Sequence, residues 1–283
     1  MDELPSVLGQ LTNLEALYLD GNQLSSLPSS LGNLKKLNQL SLGSTHQEDF
    51  TLFAGNQFRT LPPSLLKLTA LEYLGLGSNP DLDFRQTLYN LVSLPNLREL
   101  DLSKNRMKSL PSDIGALRNL EKLNISYNQI SNIPHEIGQL KLLKVLYADG
   151  NAIAFIPAEI SQLKQLEVLS LGGHPYFGFN QLTTLPLEIG FLENLKELNL
   201  MGNLLISIPT QLGQLKNLQT LNLAGFRRGG YKQQNQFTRL PEEIGQLSNL
   251  RVLDLSCSFV SPSELKRLEQ TLTQTQVLHY DCK

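Results

Sequence analysis

The chain has no tryptophan, only two cysteines in 283 residues, and a formal net charge of -2. Two cysteines are too few for a disulfide framework. A near-neutral balance gives no electrostatic reason to expect nucleic acid or an anionic membrane surface as partner. No apolar run approaches the roughly 18 residues that a membrane-crossing helix needs, so no membrane insertion is expected. The opening MDELPSVLGQ has no basic stretch followed by an apolar one, so no signal peptide is read there, and a cytoplasmic location is expected. Walker A, GxSxG, HExxH and CxxC patterns are all missing. The histidines His46, His135, His174 and His279 are scattered, without the spacing of a metal site. The chain therefore reads as a non-enzyme with no cofactor. A lone RRGGY at 227–231 is similar to Arg-Gly-rich RNA-binding segments, but one copy in a neutral chain does not support that function.

What is abundant is leucine, at regular intervals. LTNLEALYLDGNQLSSLPSSLGN (11–33) is matched by LPNLRELDLSKNRMKSLPSDIGA (94–116), LRNLEKLNISYNQISNIPHEIGQ (117–139), LKLLKVLYADGNAIAFIPAEISQ (140–162) and LENLKELNLMGNLLISIPTQLGQ (192–214), each 23 residues long. The frame is LxxLxxLxLxxNxLxxLPxxIGx. Within LEALYL the apolar residues alternate, the period of a half-buried strand. Leu17 and Leu19 face inward, while Ala16, Tyr18 and Asp20 face outward. LPSSLGNL has proline where a helical turn begins and apolar residues at its spacing, which predicts one short helical or 3₁₀ turn. A single unit cannot bury its apolar face, so the units must stack around a continuous leucine column.

The frame resembles the leucine-rich repeat family, in its 23-residue LP-containing type known from bacterial and plant intracellular proteins. The resemblance spans essentially the whole chain. It implies one curved α/β solenoid over 1–283, with parallel strands on the concave face and short helices or 3₁₀ turns on the convex face. A partial N-terminal repeat would occupy 1–10, ten repeats 11–260, and a capping helix with a last strand 261–283. The column asparagines (Asn22, Asn56, Asn79, Asn105, Asn128, Asn151, Asn180, Asn203 and Asn235) are expected to satisfy backbone groups where the chain leaves each strand. The family's effector ubiquitin ligases have a shorter period and a double-LP tail, from which this sequence departs.

Departures from a scaffold are where function is sought. Insertions fall near 44–55, 80–93, 174–179 and 226–234. Three of them lie between the strand and the column asparagine, so they leave one edge of the ladder. Insertions gathered on one face often mark a binding face. They concentrate aromatics in a chain only 7% aromatic: His46, Phe50 and Phe53; His174, Tyr176, Phe177 and Phe179; Phe226 and Tyr231, with Arg227 and Arg228. The second and last of these groups stand two repeats apart, about 10 Å along the ladder. Met201 and Leu204 give the intervening repeat an apolar floor, and Tyr147 extends it onto the concave face. These residue types dominate interface cores. The competing reading is that the loop aromatics fold back to cover the solenoid edge. The remaining concave face (Asp20, Glu99, Asp101, Asp149, Glu197 and Asp254 against Lys122) is polar and slightly acidic, a solvated face that would favour a basic partner. The expected function is protein–protein binding through the concave face and inserted loops, with no small-molecule cofactor. The alternatives are the recognition arm of a larger kinase, Roco-type GTPase or ubiquitin ligase, or a surface or secreted adhesin.

The ends differ. LPSVLGQ (4–10) matches the second half of a repeat without its strand, which predicts further chain upstream. SPSELKRLEQTL (261–272) predicts a capped helix with Glu264 closing a capping box. Aligning VLHYDC (277–282) with VLDLSC (252–257) puts His279 beside Asp254 and Cys282 beside Cys257, within disulfide reach. Two stacked free thiols are the alternative.

Overall fold

The computed structural model describes residues 3–43, 55–174, 176–228 and 231–280. The insertion near 44–55 with His46, Phe50 and Phe53 lies outside the described residues, except for its last position. So do Cys282 and the side chains of Arg227, Arg228 and Tyr231.

The leucine frame folds into one parallel sheet of eleven three-residue strands. In order they are β1 (Ala16–Tyr18), β2 (Gln39–Ser41), β3 (Tyr73–Gly75), β4 (Glu99–Asp101), β5 (Lys122–Asn124), β6 (Val145–Tyr147), β7 (Val168–Ser170), β8 (Glu197–Asn199) and β9 (Thr220–Asn222). A separate antiparallel hairpin follows, β10 (Phe226–Arg228) with β11 (Tyr231–Gln233). The sheet then closes with β12 (Val252–Asp254) and β13 (Gln276–Leu278). Leu40, Leu74, Leu100, Leu123 and Leu146 lie in register at the middle of successive strands and are buried. The 3.6 or 3.0 period of the LP segment gives nine five-residue 3₁₀ turns among the described residues. Each begins after a proline held extended, such as Pro111 (φ -60, ψ 144). Strands spaced about 4.8 Å apart on one side and wider turns on the other curve the stack, with the sheet inside.

The asparagines hold the stack together. Asn128 Nδ2 donates to the carbonyls of Ile125 and Leu102, at 2.9 and 3.0 Å, and its Oδ1 accepts from the Met107 N–H at 3.0 Å. Asn151, Asn180 and Asn203 repeat this pattern. Each amide therefore bonds its own repeat and the one before it, which satisfies buried backbone that a single repeat would leave bare.

Three expectations need correction. The segment near 80–93 is not an inserted loop: it is a true α-helix on the convex side of the third repeat, α1 (Phe84–Leu91), capped by Asp83 accepting from the Gln86 N–H. Its extra residues bury Phe84, Leu88 and Leu91, at helical spacing. The last strand pairs one residue out of the expected register. Leu253 faces Val277 and Asp254 faces Leu278, so His279 does not stand beside Asp254. Val277 packs against the core, and a one-residue slip would turn it outward. The second helix, α2 (Pro262–Thr271), is capped by Ser261 as expected. Glu264, however, accepts from the Leu240 N–H across the stack and pairs with Arg267 one turn along its own helix, rather than turning back on the cap.

Candidate binding face

Strand periodicity sends every second side chain to the concave face. The flanking columns then decide its chemistry. In the column that contains Tyr18, Asp101, Asn124, Asn199, Asn222 and Asp254 accept the N–H two residues on. This is an Asx turn that ends the strand. Two residues further on, Asp20 Oδ1 accepts from Ser41 Oγ and the Gly43 N–H at 2.6 and 2.9 Å. Asp149 Oδ1 takes the same bonds from Ser170 Oγ (2.6 Å) and the Gly172 N–H (2.8 Å), and a third from Asn199 Nδ2.

Just before the column asparagine the backbone turns left-handed. Glycine fills this place at Gly21, Gly150 and Gly202, but Lys104 (φ 59) and Tyr127 (φ 61) fill it in the fourth and fifth repeats. A non-glycine residue there costs about 1–2 kcal/mol. It also projects two large side chains from the rim of the sheet. A groove of about 1000 Å³ runs beneath them along repeats one to six, with Tyr18, Tyr73, Asp101, Lys122, Tyr127 and Tyr147 on its walls.

The insertion of the seventh repeat folds back over this rim. His174 and Gly178 bridge, closing a tight turn. Tyr127 packs on His174 and Phe177, with centroids 5.1 and 4.6 Å apart. Lys104 Nζ lies 5.9 and 5.6 Å from the Tyr127 and Phe177 rings, within cation–π reach. Tyr176 stands exposed beside His174. Phe179 lies back along the ladder over Gly173 and Gly202 and meets Phe226 of the ninth repeat at 5.4 Å. The two insertions thus touch across the eighth repeat, where Met201 and Leu204 are half-buried. Tyr147 sits on the concave floor, half-buried. The hairpin β10–β11 brings Arg227, Arg228 and Tyr231 onto the same edge by backbone position.

Charge is unevenly placed. Burial first, then the proximity of Asp101 and more weakly Asp20 and Glu99, holds the Tyr73 phenol above its usual range. Burial and then Asp149 do the same to Tyr127. Burial also raises the Asp101 and Asp149 carboxyls and lowers Lys104. Burial and Lys104 together lower His174. The Lys122–Glu99 pair, at 3.5 Å, offsets one carboxylate. Among the described residues no group of three or more His, Cys, Asp or Glu is gathered as for a metal ion, and no helix is long and apolar enough to cross a membrane.

Sequence reasoning picked out the insertions and Tyr147 but passed over Lys104, Tyr73 and Tyr127. Their signal was present: a lysine and a tyrosine precede the column asparagine where Asp-Gly-Asn stands in the first and sixth repeats.

A leucine-rich repeat region model matches residues 50–175, and a leucine-rich repeat model matches 13–34. Among solved structures, an LRR protein of Leptospira interrogans is 35% identical, with a TM-score of 0.72, over 98% of this chain and 69% of that one. An internalin, InlF, of Listeria monocytogenes is similar in fold, at 23% identity and a TM-score of 0.69, over 99% of this chain and 78% of its own. The LRR ectodomain of the Arabidopsis thaliana receptor kinase GASSHO1/SCHENGEN3, solved in complex with CASPARIAN STRIP INTEGRITY FACTOR 2, is 27% identical with a TM-score of 0.55, over 98% of this chain and 39% of that one. A search of curated proteins gave no match.

Proposed function

Because the chain belongs to the leucine-rich repeat family, whose fold commonly mediates protein–protein interaction, we propose that it is a non-enzymatic scaffold, working in the cytoplasm, that holds a protein partner. The partner lies on the concave face and against the aromatic rim above it. One observation supports this most directly. Tyr127, His174 and Phe177 pack into one cluster, and Phe179 and Phe226 join the seventh and ninth repeats along the same edge. Aromatic side chains gathered on one rim of a concave face are the residue types that anchor interfaces. The similar Arabidopsis ectodomain, which was solved with a partner, supports the same use of the scaffold.

The test is capture from cells of the source organism on immobilised protein, with a Tyr176→Ala/Phe226→Ala variant of the rim beside it. A protein retained by the parent and lost by the variant, with circular dichroism unchanged, supports the reading. Equal retention of every captured protein by both sinks it.

A further inference from the structure

The groove along repeats one to six lies beside the rim rather than beneath the insertions of repeats seven and nine, and its chemistry is more specific than that of the rim. The charged residues on its wall are Asp20, Glu99, Asp101 and Asp149 against Lys104 and Lys122, four negative and two positive. The carboxylates are fixed rather than swinging. Asp20 and Asp149 are tied by hydroxyl and backbone donors of the next repeat, and Asp101 by the Ser103 N–H at 2.8 Å. The donors to Asp149 among the described residues are neutral. Tyr73 lies across Gly75, where a Cβ would come within 2.8 Å of its hydroxyl. That puts an aromatic ring on the groove floor close to Asp101. Fixed carboxylates beside aromatic faces recognise a guanidinium or an ammonium, through charge-assisted hydrogen bonds and cation–π contact.

Spacing adds a length. From the first repeat to the sixth is five strand steps, about 24 Å. An extended chain covers that in about seven residues. Asp20, Asp101 and Asp149 belong to repeats one, four and six, about 14 and 10 Å apart on the same measure. Only even spacings bring side chains of an extended segment to one face, so the nearest match is cationic side chains at i, i+4 and i+8, about 13 Å apart at each step. We propose that the groove takes an extended basic segment of a protein, with Arg or Lys at about that spacing, laid across the strands. The proposal rests on the scaffold reading above and names the chemistry of its ligand.

The probe is a fluorescein-labelled nonapeptide with Arg at positions 1, 5 and 9 and Ser elsewhere, titrated against the full chain by fluorescence polarisation. Its counterparts carry Glu at the same positions, or three Arg at positions 1 to 3. The informative variant is Asp101→Asn. Asn124, Asn199 and Asn222 already make the same turn bond in other repeats, so the substitution removes charge and keeps the backbone. The control is Glu269→Gln, an exposed carboxylate on α2. The spaced Arg peptide should bind best and weaken as salt is raised. Asp101→Asn should cost it roughly tenfold in affinity, and Glu269→Gln should leave it unchanged. Equal binding of the Glu peptide, or indifference to Asp101→Asn, overturns the proposal. If no peptide binds while the aromatic-rim variant still loses a captured partner, the basic-segment proposal falls and the scaffold stands. If neither assay gives binding, both fall.

Discussion

Asp149 shows what one residue pays to face this groove. Burial, above all, pushes its carboxyl upward, and the bonds from Ser170, Gly172 and Asn199 only partly oppose this. A carboxyl raised on folding contributes stability that is complete below the unfolded value, about 3.9, and is lost as pH rises through the folded value. The ionised form is therefore the costly one at neutral pH. Asp149→Asn keeps an oxygen to accept from Ser170 and Gly172 and removes the charge. Urea midpoints at pH 4 and pH 8 should lie closer together in the variant than in the parent, with the gain at pH 8. An unchanged gap would mean that the carboxylate is not strained by burial. The same economy applies to Lys104 and Tyr127, held in a left-handed turn where the first, sixth and eighth repeats use glycine. Backbone strain kept at neighbouring positions, both feeding one aromatic cluster, is typical of sites selected for something other than stability. These two were legible only by comparing the residue before each column asparagine across repeats. Reading each repeat by itself shows nothing unusual in a lysine or a tyrosine.

The strands and 3₁₀ turns were legible because each is dictated by a periodicity repeated ten times along the chain. What was missed occurs once. In α1, Asp83 caps and Phe84, Leu88 and Leu91 recur at helical spacing. That signal is a single eight-residue instance, set in a frame that trains the eye on five-residue turns. The slip of β13 has a similar origin, since VLHYDC mimics VLDLSC in letters while burial of Val277 sets a different register. That the loop aromatics fold back was one of two readings open from the sequence; where Phe179 comes to rest was not legible, because it depends on a flat place to lie. That place is glycine. Gly202 has φ +66, and a Cβ there would come within 2.9 Å of the Phe179 ring. Gly202→Ala should cost roughly 1–2 kcal/mol from the left-handed turn, and more from displacing the ring. It should also part Phe179 from Phe226. A lower thermal midpoint together with a changed near-ultraviolet circular dichroism spectrum is the expected result. A lower midpoint with the spectrum intact would mean that the aromatic bridge does not depend on this glycine.

A stack in which each repeat touches only its neighbours is held from its ends, because an end repeat has one neighbour instead of two. At the C-terminus α2 provides the cover, burying Leu268 and Leu272 against the last repeats. Its tie to the stack is Glu264, which accepts from the Leu240 N–H at 3.0 Å and pairs with Arg267 at 2.5 Å, its side chain 7% exposed. Burial pushes this carboxyl up, but the bonds from Arg267 and Leu240, with the charges of Arg267 and Arg239, outweigh it and hold it below the usual range. The sign is therefore opposite to that of Asp149. The stability that Glu264 contributes is present above the unfolded value, about 4.3, and is lost as pH falls through the lower folded value. Acid should loosen the molecule from this end first. In hydrogen exchange, protection of the Leu240 N–H and of α2 should fall below about pH 4, while the N–H groups of β5 and β6 stay protected. Glu264→Gln, expected to cost about 1–3 kcal/mol at pH 7, should remove that acid dependence. Simultaneous loss of protection in β5, β6 and α2 would show instead that the eleven strands unfold as one unit, and that a groove on repeats one to six is only as stable as a cap four repeats away.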